Sequence, residues 1–481
     1  MFRAIGGHAL QEDLAGALVP AFRAIGASIG PDGRHVIYST GNRVATAVSG
    51  SEIARRVCSD HFAARLLKET LVDAERDLGD GTARLAVMAG AALAAARRGI
   101  AAGAVPEQVI AALVALRPVL DEAFAAERAE AVDLVAVALA AGAEAELAQR
   151  LAEACAAVGT AGLVEVAEGH EPGLRLDIRQ GFGFEARPVG SAGLEAMGPV
   201  HLIVANEVIR DFRTLAPVIE GFARSDKSLV IAARGLEDQA LHLIERNRQA
   251  GVLKVAALLP RDAGPRAAEI LEDLAIATGA VLVSEHAGVS LDALKPAMLG
   301  RAETYRREGS LVVLTGVAGD PARIAPRLRG IEAEIAAKRY LPLDREHARQ
   351  RHARLSGHWA ELRIGARGGA GDAVAQARRA LASIRSARDG GVIDGGGRGL
   401  DRIAARLEAR PAGTGSDATA QAMLLAALRA PGICLRRNSG EAGPFRAAPV
   451  TDPAGLSRSL LDVALSLAGR LAGLEGAVIR H

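Results

Sequence analysis

The sequence predicts a multidomain α/β protein, with mostly helical segments at both ends of the chain and a layered strand–helix domain in the middle. The first observation is helical spacing near the start, where Leu14, Leu18, Phe22 and Ile25 share one face of residues 11–29. The second is a change after Gly181, where short apolar runs alternate with amphipathic segments. The third is size, because 481 residues with 50% hydrophobic content suffice for two or three domains.

The amino-acid composition argues against several classes of protein. Aromatic residues make up only 3%, so the cores must be built from Ala, Leu, Val and Ile. A formal net charge of +2 argues against a nucleic-acid partner. Cys58, Cys155 and Cys434 follow no zinc spacing and indicate thiols of a reducing compartment. We find neither a signal peptide nor a membrane span, and expect a soluble cytoplasmic protein.

The first helix is followed by a turn and a β-hairpin. The turn Ser28-Ile29-Gly30-Pro31 ends the helix, and residues 35–38 and 44–48 are predicted to form the two strands. Gly50 and Ser51 are expected to cap the next helix, which continues from Glu52.

The loop Gly79-Asp80-Gly81-Thr82 separates two predicted helices, residues 63–77 and 83–98. Glycines permit a tight turn, and the following helix presents unpaired N–H groups that can bind an anion. Asp80 beside them could hold Mg²⁺ against phosphates. An ordinary loop between helices is the alternative that this tetrapeptide leaves open.

The middle of the chain is predicted to be a layered α/β domain. Strand candidates are residues 200–204, 228–232, 252–259 and 280–284, and amphipathic helices are predicted at 213–224 and 237–249. A Rossmann enzyme is the competing interpretation, but no G-x-G-x-x-G motif follows any of these strands.

The order of these motifs resembles the group I chaperonins, the GroEL type. The similarity begins with the turn, the hairpin, the Gly-Asp-Gly-Thr loop and an Ala-rich helix. It continues through residues 99–106, 251–257, 270–279, 359–366, 391–397 and 451–453. It therefore covers nearly the whole chain, although the part after Gly397 is shortened.

The resemblance implies a chaperonin-like fold of three domains. The mostly helical equatorial domain would take residues 1–126 and 392–481, the small intermediate domain 127–180 and 359–391, and the α/β layered apical domain 181–358. It also implies a homo-oligomeric ring with the sevenfold symmetry of the family. The hairpin 36–48 and residues 477–479 resemble the two pieces that pair between neighbouring subunits.

The resemblance further implies a site for ATP or ADP with Mg²⁺. In the family, the Gly-Pro turn and the Gly-Asp-Gly-Thr loop enclose the phosphates, and a glycine triplet approaches the ribose. The implied nucleotide-binding residues are Ser28, Ile29, Gly30, Pro31, Asp80, Gly81, Thr82, Gly395, Gly396 and Asp452, with Asp80 as the metal ligand.

The chain departs from the family at the positions that hydrolyse ATP. Ser49 and Arg379 occupy the two positions at which the family carries further aspartates, so no catalytic set is intact. Loss of such a group typically slows a reaction by ~10²-fold or more, and we expect hydrolysis to be weak or lost. Arg84 and Arg379 could replace the charge of Mg²⁺ and hold an anion. Alternatively, they are solvated or salt-bridged arginines of a decayed pocket.

The partner-binding face has changed as well. In the family, a loop and two helices form an apolar groove for unfolded clients and a co-chaperonin. The corresponding loop is residues 184–190. The implied partner-binding residues are Phe184, Val189, Val218, Ile219, Leu241, Glu245 and Arg246. Charge at the last two weakens apolar capture and puts co-chaperonin docking in doubt.

The sequence therefore predicts a chaperonin-like ring subunit that binds, or assists the folding or assembly of, a dedicated protein partner, without efficient ATP hydrolysis. One alternative is an ATP-driven foldase in which Asp389 or Asp394 replaces a missing carboxylate. Another is a structural ring, or a subunit that co-assembles with an orthodox chaperonin. A metabolic enzyme is disfavoured because no nucleophile–base set or metal cluster is evident.

Overall fold

The chain folds into two compact units. The computed structural model describes residues 2–480 except 31, 35, 41–42, 48, 58–60, 160–161, 170, 190–194, 211, 226, 252, 285–287, 339–341, 366–370 and 441–449. Unit 1 comprises Met1–Ala152, Glu168–Leu174 and Ile364–His481, and unit 2 comprises Glu153–Ala167 and Arg175–Arg363. Unit 1 thus contains both predicted equatorial segments. The three-domain division remains a prediction.

Helices and strands are numbered along the chain. The helices are α1 Gly7–Gly26, α2 Gly50–Val57, α3 Phe62–Leu78, α4 Thr82–Ala101, α5 Pro106–Ala115, α6 Arg117–Glu127, α7 Leu134–Ala140, α8 Ala145–Val158, α9 Phe212–Ser225, α10 Asp238–Gln249, α11 Pro265–Thr278, α12 Pro321–Ala337, α13 Pro342–Ser356, α14 Gly371–Gly390, α15 Arg398–Glu408, α16 Ser416–Ser439 and α17 Ala454–Ala472. The strands are β1 Phe2–Gly6, β2 Val36–Thr40, β3 Arg43–Ala47, β4 Leu163–Glu168, β5 Gly173–Gln180, β6 Phe182–Pro188, β7 Ala196–Met197, β8 Val200–Ile209, β9 Ser228–Leu236, β10 Val255–Pro260, β11 Leu282–Val283, β12 Gly300–Ala302, β13 Thr304–Glu308, β14 Leu311–Thr315, β15 His358–Gly365, β16 Val392–Asp394, β17 Thr451–Pro453 and β18 Gly476–Arg480.

The core of unit 1 is a helical bundle around the Ala-rich helix α4. This helix packs against α16 and α17, which come more than 300 residues later in the chain. Small residues permit the close approach, because a Cβ added at Gly99 of α4 would clash with Thr419 of α16. Leu85, Met88 and Leu460 fill the interior with no exposed area. The aliphatic core expected from the low aromatic content is confirmed.

Helix α16 is the one helix in the described part of the chain that is long and apolar enough to cross a membrane. In its most apolar window, 61% of the residues are buried inside the structure. Burial of this kind is typical of a central core helix. The two cysteines within the described ranges, Cys155 and Cys434, are buried and form no disulfide there, and Cys58 lies outside those ranges.

Among the described residues, three small sheets lie in unit 1. The predicted hairpin is confirmed as β2 and β3, which pair antiparallel with Val36 opposite Ala47. The predicted terminal strand is confirmed as β18, but it pairs with β1 of the same chain, with Ala4 opposite Val478. Strand β1 was not predicted. The third sheet joins β16 to β17.

The layered α/β domain predicted for the middle of the chain is confirmed in unit 2. Its large sheet has the order β11-β8-β9-β10-β6-β14-β13-β7, and β12 pairs with β8. The predicted strands at 200–204 and 228–232 lie within β8 and β9, which run parallel. Alternate residues of β8 face opposite layers. Leu202 faces the core containing α11, α12 and α13, whereas Ile203 faces the core containing α9 and α10.

One segment of this sheet corrects the sequence analysis. Residues 184–190 were expected to form a loop, but residues 182–188 form strand β6, hydrogen-bonded between β10 and β14. Phe184 is only 1% exposed and belongs to the core of unit 2. A side chain on the buried face of a central strand is not available to a partner.

Candidate nucleotide site

The Gly79–Thr82 loop is shaped by close packing. Gly79 and Gly81 both have left-handed backbone conformations, with φ of 78° and 83°. An added Cβ at Gly79 would clash with Ala382 of α14, and one at Gly81 would clash with Leu460 of α17. The positive φ angles and the close packing together favour glycine at both positions, so the glycines do not by themselves indicate a phosphate.

Asp80, the expected metal ligand, is bonded to helix α14. Its Oδ2 accepts a hydrogen bond of 2.7 Å from the Ser383 hydroxyl, and both residues belong to unit 1. Together with the contact between Gly79 and Ala382, this bond holds α14 against the loop. The structure therefore brings Asp80 next to the helix that carries Arg379.

Ser49 is the N-cap of helix α2. Its Oγ accepts the Glu52 N–H at 3.2 Å, and its carbonyl accepts the Ile53 N–H at 2.9 Å. The expectation that Gly50 and Ser51 form the cap is wrong, because the helix begins at Gly50. A cap needs a side-chain oxygen one residue before the first helical turn, and Ser49 supplies it.

The cap nevertheless lies beside the loop. The Ser51 N–H donates to Thr82 Oγ1 at 3.2 Å, and a Cβ added at Gly50 would lie 2.5 Å from the Ala83 nitrogen. Ser49, where the sequence resemblance implies an aspartate, is therefore near the start of α4, and its neutral hydroxyl is engaged in capping. Thr82 is buried, and its hydroxyl accepts this N–H.

Arg379 lies one helical turn before Ser383 on α14. Residues four apart share a helix face, so Arg379 lies on the same face of α14 as Ser383, which contacts Asp80. The side chain is half-buried, and it has no ion-pair partner within 4.0 Å in the part of the chain that the structure describes. A positive charge thus stands on the side of α14 that faces the loop.

A second arginine lies at the loop itself. Arg84 Nη1 is 3.0 Å from Asp452 Oδ1, and the two side chains are only 16% and 17% exposed. The contact is an ion pair whose geometry is not that of a hydrogen bond. Arg84 Nη2 lies 3.4 Å from the position that a Cβ on Gly81 would take. This pairing joins two predicted site regions and was not predicted.

The glycine triplet forms an ordered turn between β16 and α15. The Gly395 N–H donates to the Val450 carbonyl at 2.6 Å. Gly397 has φ of 82°, and its Cβ would lie 2.6 Å from the Cα of Gly432. Strand pairing places Ile393 opposite Asp452, so the triplet and Asp452 are close in space. Gly396 is left-handed as well, with φ of 66°.

The turn after α1 is hydrogen-bonded to helix α16. The Asn438 side chain donates to the carbonyls of Gly26 and Ile29, each at 2.9 Å. Ser28 Oγ donates to the Ile25 carbonyl, and Gly30 is left-handed with φ of 90°. Pro31, which was also expected to bind nucleotide, lies outside the described residues.

The two candidate replacement carboxylates differ in their surroundings. Asp394 accepts from Arg398 at 2.7 Å and from Arg402 at 3.2 Å. The Arg398 hydrogen bond, assisted by Arg402, lowers the pKa of Asp394. Asp389 is exposed on α14. Asp394 is thus an ionised partner of two guanidinium groups, which makes it a poor general base.

The residues expected to bind a partner do not share one surface. Ile219 of α9 is 2% exposed and packs in the core beneath α9 and α10, so its assignment as a contact residue is wrong, as it is for Phe184. Val189 and Val218 are half-buried against the same core. On α10, Leu241 and Glu245 are half-buried and Arg246 is exposed.

This order of elements, with a helical unit 1 and a layered α/β unit 2, defines the chaperonin fold. No protein-family model matches the sequence. Among solved structures, the chain is similar to chaperonin gp146 from the bacteriophage EL 2 (Pseudomonas aeruginosa), crystallised in the presence of ATP-BeFx. Crystal form I matches with a TM-score of 0.65 at 17% identity, covering 99% of both chains. Crystal form II matches with a TM-score of 0.57 at 18% identity, with the same coverage. The predicted chaperonin-like, multidomain α/β fold is therefore confirmed over the full length.

Proposed function

We propose that this protein is a cytoplasmic chaperonin-type ring subunit that binds a dedicated protein partner and hydrolyses ATP weakly or not at all. The proposal is based mainly on which charged side chains lie at the Gly79–Thr82 loop. Ser49 caps the helix whose first turn contacts Thr82 of the loop, and Asp80 is bonded to α14, which carries the half-buried Arg379. Two of the three carboxylates that the family resemblance implies are replaced, one of them by a cation.

Phosphoryl transfer explains why this replacement matters. Enzymes accelerate it by positioning the nucleophile and by neutralising developing charge, so missing groups are costly. Ser49 Oγ contacts the Glu52 N–H and the Ser51 hydroxyl, and neither group can accept a proton from water as a base would. With ~10²-fold or more lost for each missing group, turnover falls well below that of an ordinary chaperonin.

Nucleotide binding is retained in this proposal. The gp146 structures were obtained in the presence of ATP-BeFx. Here the left-handed glycines of the loop, the start of α4 and Asp452 are close together, and such a helix start favours phosphate. Binding without turnover would make the nucleotide a structural or regulatory ligand rather than a fuel.

Ring assembly is supported by unpaired strand edges. Both β1–β18 and β2–β3 are two-stranded sheets among the described residues, and exposed edges invite pairing with another chain. Ile37 on β2 is 69% exposed, which is unusual for a large apolar side chain. We infer that the hairpin of one copy pairs with the terminal strands of the next.

The partner is inferred to be a dedicated protein rather than a general unfolded client. The candidate surface includes the outer side of α10, where Leu241 is followed by the charged pair Glu245 and Arg246. Burying a charged side chain against an apolar client costs roughly several kcal/mol, because its contacts with water are lost. A partner with complementary polar groups would avoid that cost.

Electron microscopy and mass photometry of the purified protein, with and without ATP, test the proposal. We expect a ring whose domains do not rotate on addition of ATP, and ATP turnover at least about 10²-fold below that of an ordinary chaperonin. Ile37→Glu is expected to dissociate the ring, because a charge on an edge strand opposes pairing. Ile178→Glu, at a residue 48% exposed on β5, is the matched control.

Two results would contradict the proposal. A chain that stays monomeric at all concentrations would exclude the ring. Domain rotation together with turnover at the usual chaperonin rate would favour an ATP-driven foldase instead.

A further inference from the structure

Helix α5 is an apolar helix that lies largely on the surface of unit 1. Between Pro106 and Ala115 its polar residues are Glu107 and Gln108, and Val109 is its one buried residue, in a segment that the structure describes completely. Ile110 and Val114 are 42% and 53% exposed. A helix that is apolar on most of its sides is normally covered. We therefore expect this face to be covered when the protein assembles.

Opposite charges stand at the two ends of this face. Glu107, Ile110, Val114 and Arg117 follow the spacing of one helix face. Arg117 opens α6, but the intervening Leu116 has helical backbone angles, with φ of −78° and ψ of −11°. Glu107 and Arg117 are both exposed, and neither has an ion-pair partner within 4.0 Å among the residues that the structure describes. Both charges are available to a neighbouring molecule.

The order of these four residues is complementary to itself. Glu107 and Arg117 lie equally far along the chain from Ala112, and so do Ile110 and Val114. When two such helices meet antiparallel about a two-fold axis, Glu107 lies opposite Arg117 of the partner subunit. In the same arrangement Ile110 lies opposite Val114 of the partner subunit. A two-fold contact requires a patch that is complementary to itself, and this face satisfies that condition.

A groove beside α5 offers room for apolar side chains of a second copy. Its volume is about 160 Å³, and apolar residues make up most of its lining, including Leu113, Leu116, Leu120 and Leu465. The groove is narrow where α5 meets α17, because a Cβ added at Gly469 would lie 3.5 Å from Ile110 Cγ1. The exposed apolar side chains and an apolar groove thus lie side by side on one surface.

We propose that the face formed by Glu107, Ile110, Val114 and Arg117 is an interface at which two copies of this chain associate antiparallel. Burial of the apolar centre stabilises the contact, and the charges at its ends set the direction. Parallel association would place like charges opposite each other, which is unfavourable. This interface is separate from the hairpin and terminal strands on which the ring proposal depends.

Sedimentation velocity of the full-length Ile37→Glu protein tests the inference, because this variant lacks the hairpin contact of the proposed ring. We expect a monomer–dimer equilibrium that shifts with protein concentration. Val114→Asp in that protein should abolish the dimer, because it introduces charge at the apolar centre of the interface. Ile433→Glu is the matched control, at a residue of α16 that is 55% exposed in the same unit, and it should leave the dimer unchanged.

Charge reversal tests whether the two copies meet antiparallel. Glu107→Arg alone and Arg117→Glu alone should each raise the dissociation constant of the dimer about tenfold or more, because two attractive contacts become repulsive. An equimolar mixture of these two variants should form a heterodimer with about the affinity of the unaltered face, since every arginine then lies opposite a glutamate. Circular dichroism on each variant verifies that it folds.

Three outcomes overturn the inference. The first is an Ile37→Glu protein that stays monomeric at every concentration. The second is a dimer whose affinity does not respond to Val114→Asp or to the charge reversals, because another surface then forms it. The third is a mixture of the two reversed variants that does not regain affinity.

The ring proposal is judged separately, by mass photometry of the unaltered protein. A chain that dimerises through α5 without forming rings would refute the ring and support this interface. If Ile37→Glu still forms larger assemblies, the hairpin contact is refuted. Val114→Asp must then halve the mass of those assemblies, and an unchanged mass overturns the inference.

Discussion

Replacing Asp273 of α11 by asparagine is expected to destabilise unit 2 by about 3 kcal/mol. Asp273 and Arg351 of α13 form a bidentate ion pair, with Nε to Oδ2 at 2.6 Å and Nη2 to Oδ1 at 3.3 Å. Both side chains are almost fully buried, with exposures of 2% and 3%. Asp273 Oδ1 also accepts from Arg327 Nε at 2.7 Å. Asn keeps the size of the side chain and removes its charge.

The expected loss of stability depends on the carboxylates that remain near Arg351. Breaking a buried pair on one side typically costs about 3–5 kcal/mol, because the other charge is left uncompensated. Here Glu269 and Glu334 each lie 3.1 Å from Arg351 Nη1 and continue to neutralise part of the charge. The lower end of the range therefore applies. Replacing both partners, as in Asp273→Leu with Arg351→Met, should cost less than the sum of the single changes.

The single tryptophan allows the unfolding of unit 2 to be followed by fluorescence. Trp359 is 5% exposed and packs in unit 2 against Val313 and Ala353, the latter on the same helix as Arg351. Its fluorescence during urea denaturation therefore reports the unfolding of unit 2 rather than of the whole chain. Asp344→Asn is the matched control, because Arg266–Asp344 also joins α11 to α13 but is 43% and 39% exposed. Such an exposed pair contributes ~1 kcal/mol or less.

The reasoning would be refuted if Asp273→Asn shifted the urea midpoint no more than Asp344→Asn does. It would also be refuted if the double replacement cost as much as the two single changes added together, because the two side chains would then be acting independently.

Three further predictions concern the fold and its pH dependence. Burial raises the pKa of Glu165 above 4.5, so the charged form opposes folding at neutral pH. Glu165→Gln should therefore increase resistance to urea at pH 7, and the gain should vanish below 4.5, where the carboxyl is protonated in both states. Gly397→Ala should lower the thermal midpoint by more than Gly440→Ala. Both residues have the left-handed helical conformation, which costs alanine about 1–2 kcal/mol, but of the two only Gly397 faces a clash, with the backbone of Gly432. Ser49→Ala should cost about 1 kcal/mol in thermal denaturation, whereas Ser49→Asp should be tolerated because aspartate also caps helices.

Periodicity and motif order were enough to predict the main architecture. The helical spacing of Leu14, Leu18 and Ile25 corresponds to α1, and all three side chains are buried. The alternation after Gly181 corresponds to the layered sheet. These signals succeed because each depends on residues that are close together in sequence.

The features that were missed depend on residues far apart in sequence or on hydrogen-bond detail. Strand β1 is five residues long, and it is a strand because it pairs with β18 at the other end of the chain. The Arg84–Asp452 pair forms only when β17 is in place beside β16. Phe184 and Ile219 were assigned to a surface because sequence alone does not reveal which side of an element is covered. The cap was misplaced because neighbouring Ser49 and Ser51 are chemically equivalent, and only the Glu52 N–H distinguishes them.

The way unit 1 is assembled has a consequence during synthesis on the ribosome. Most of unit 2 is one uninterrupted stretch, Arg175–Arg363, so it can become compact as soon as it emerges. Helix α4 emerges early, but α16 and α17, which pack against it, are synthesised much later. Strand β1 likewise has no partner strand until β18 is synthesised. An apolar surface is thus exposed through most of translation, and a protein of this fold itself needs protection from aggregation before it is finished.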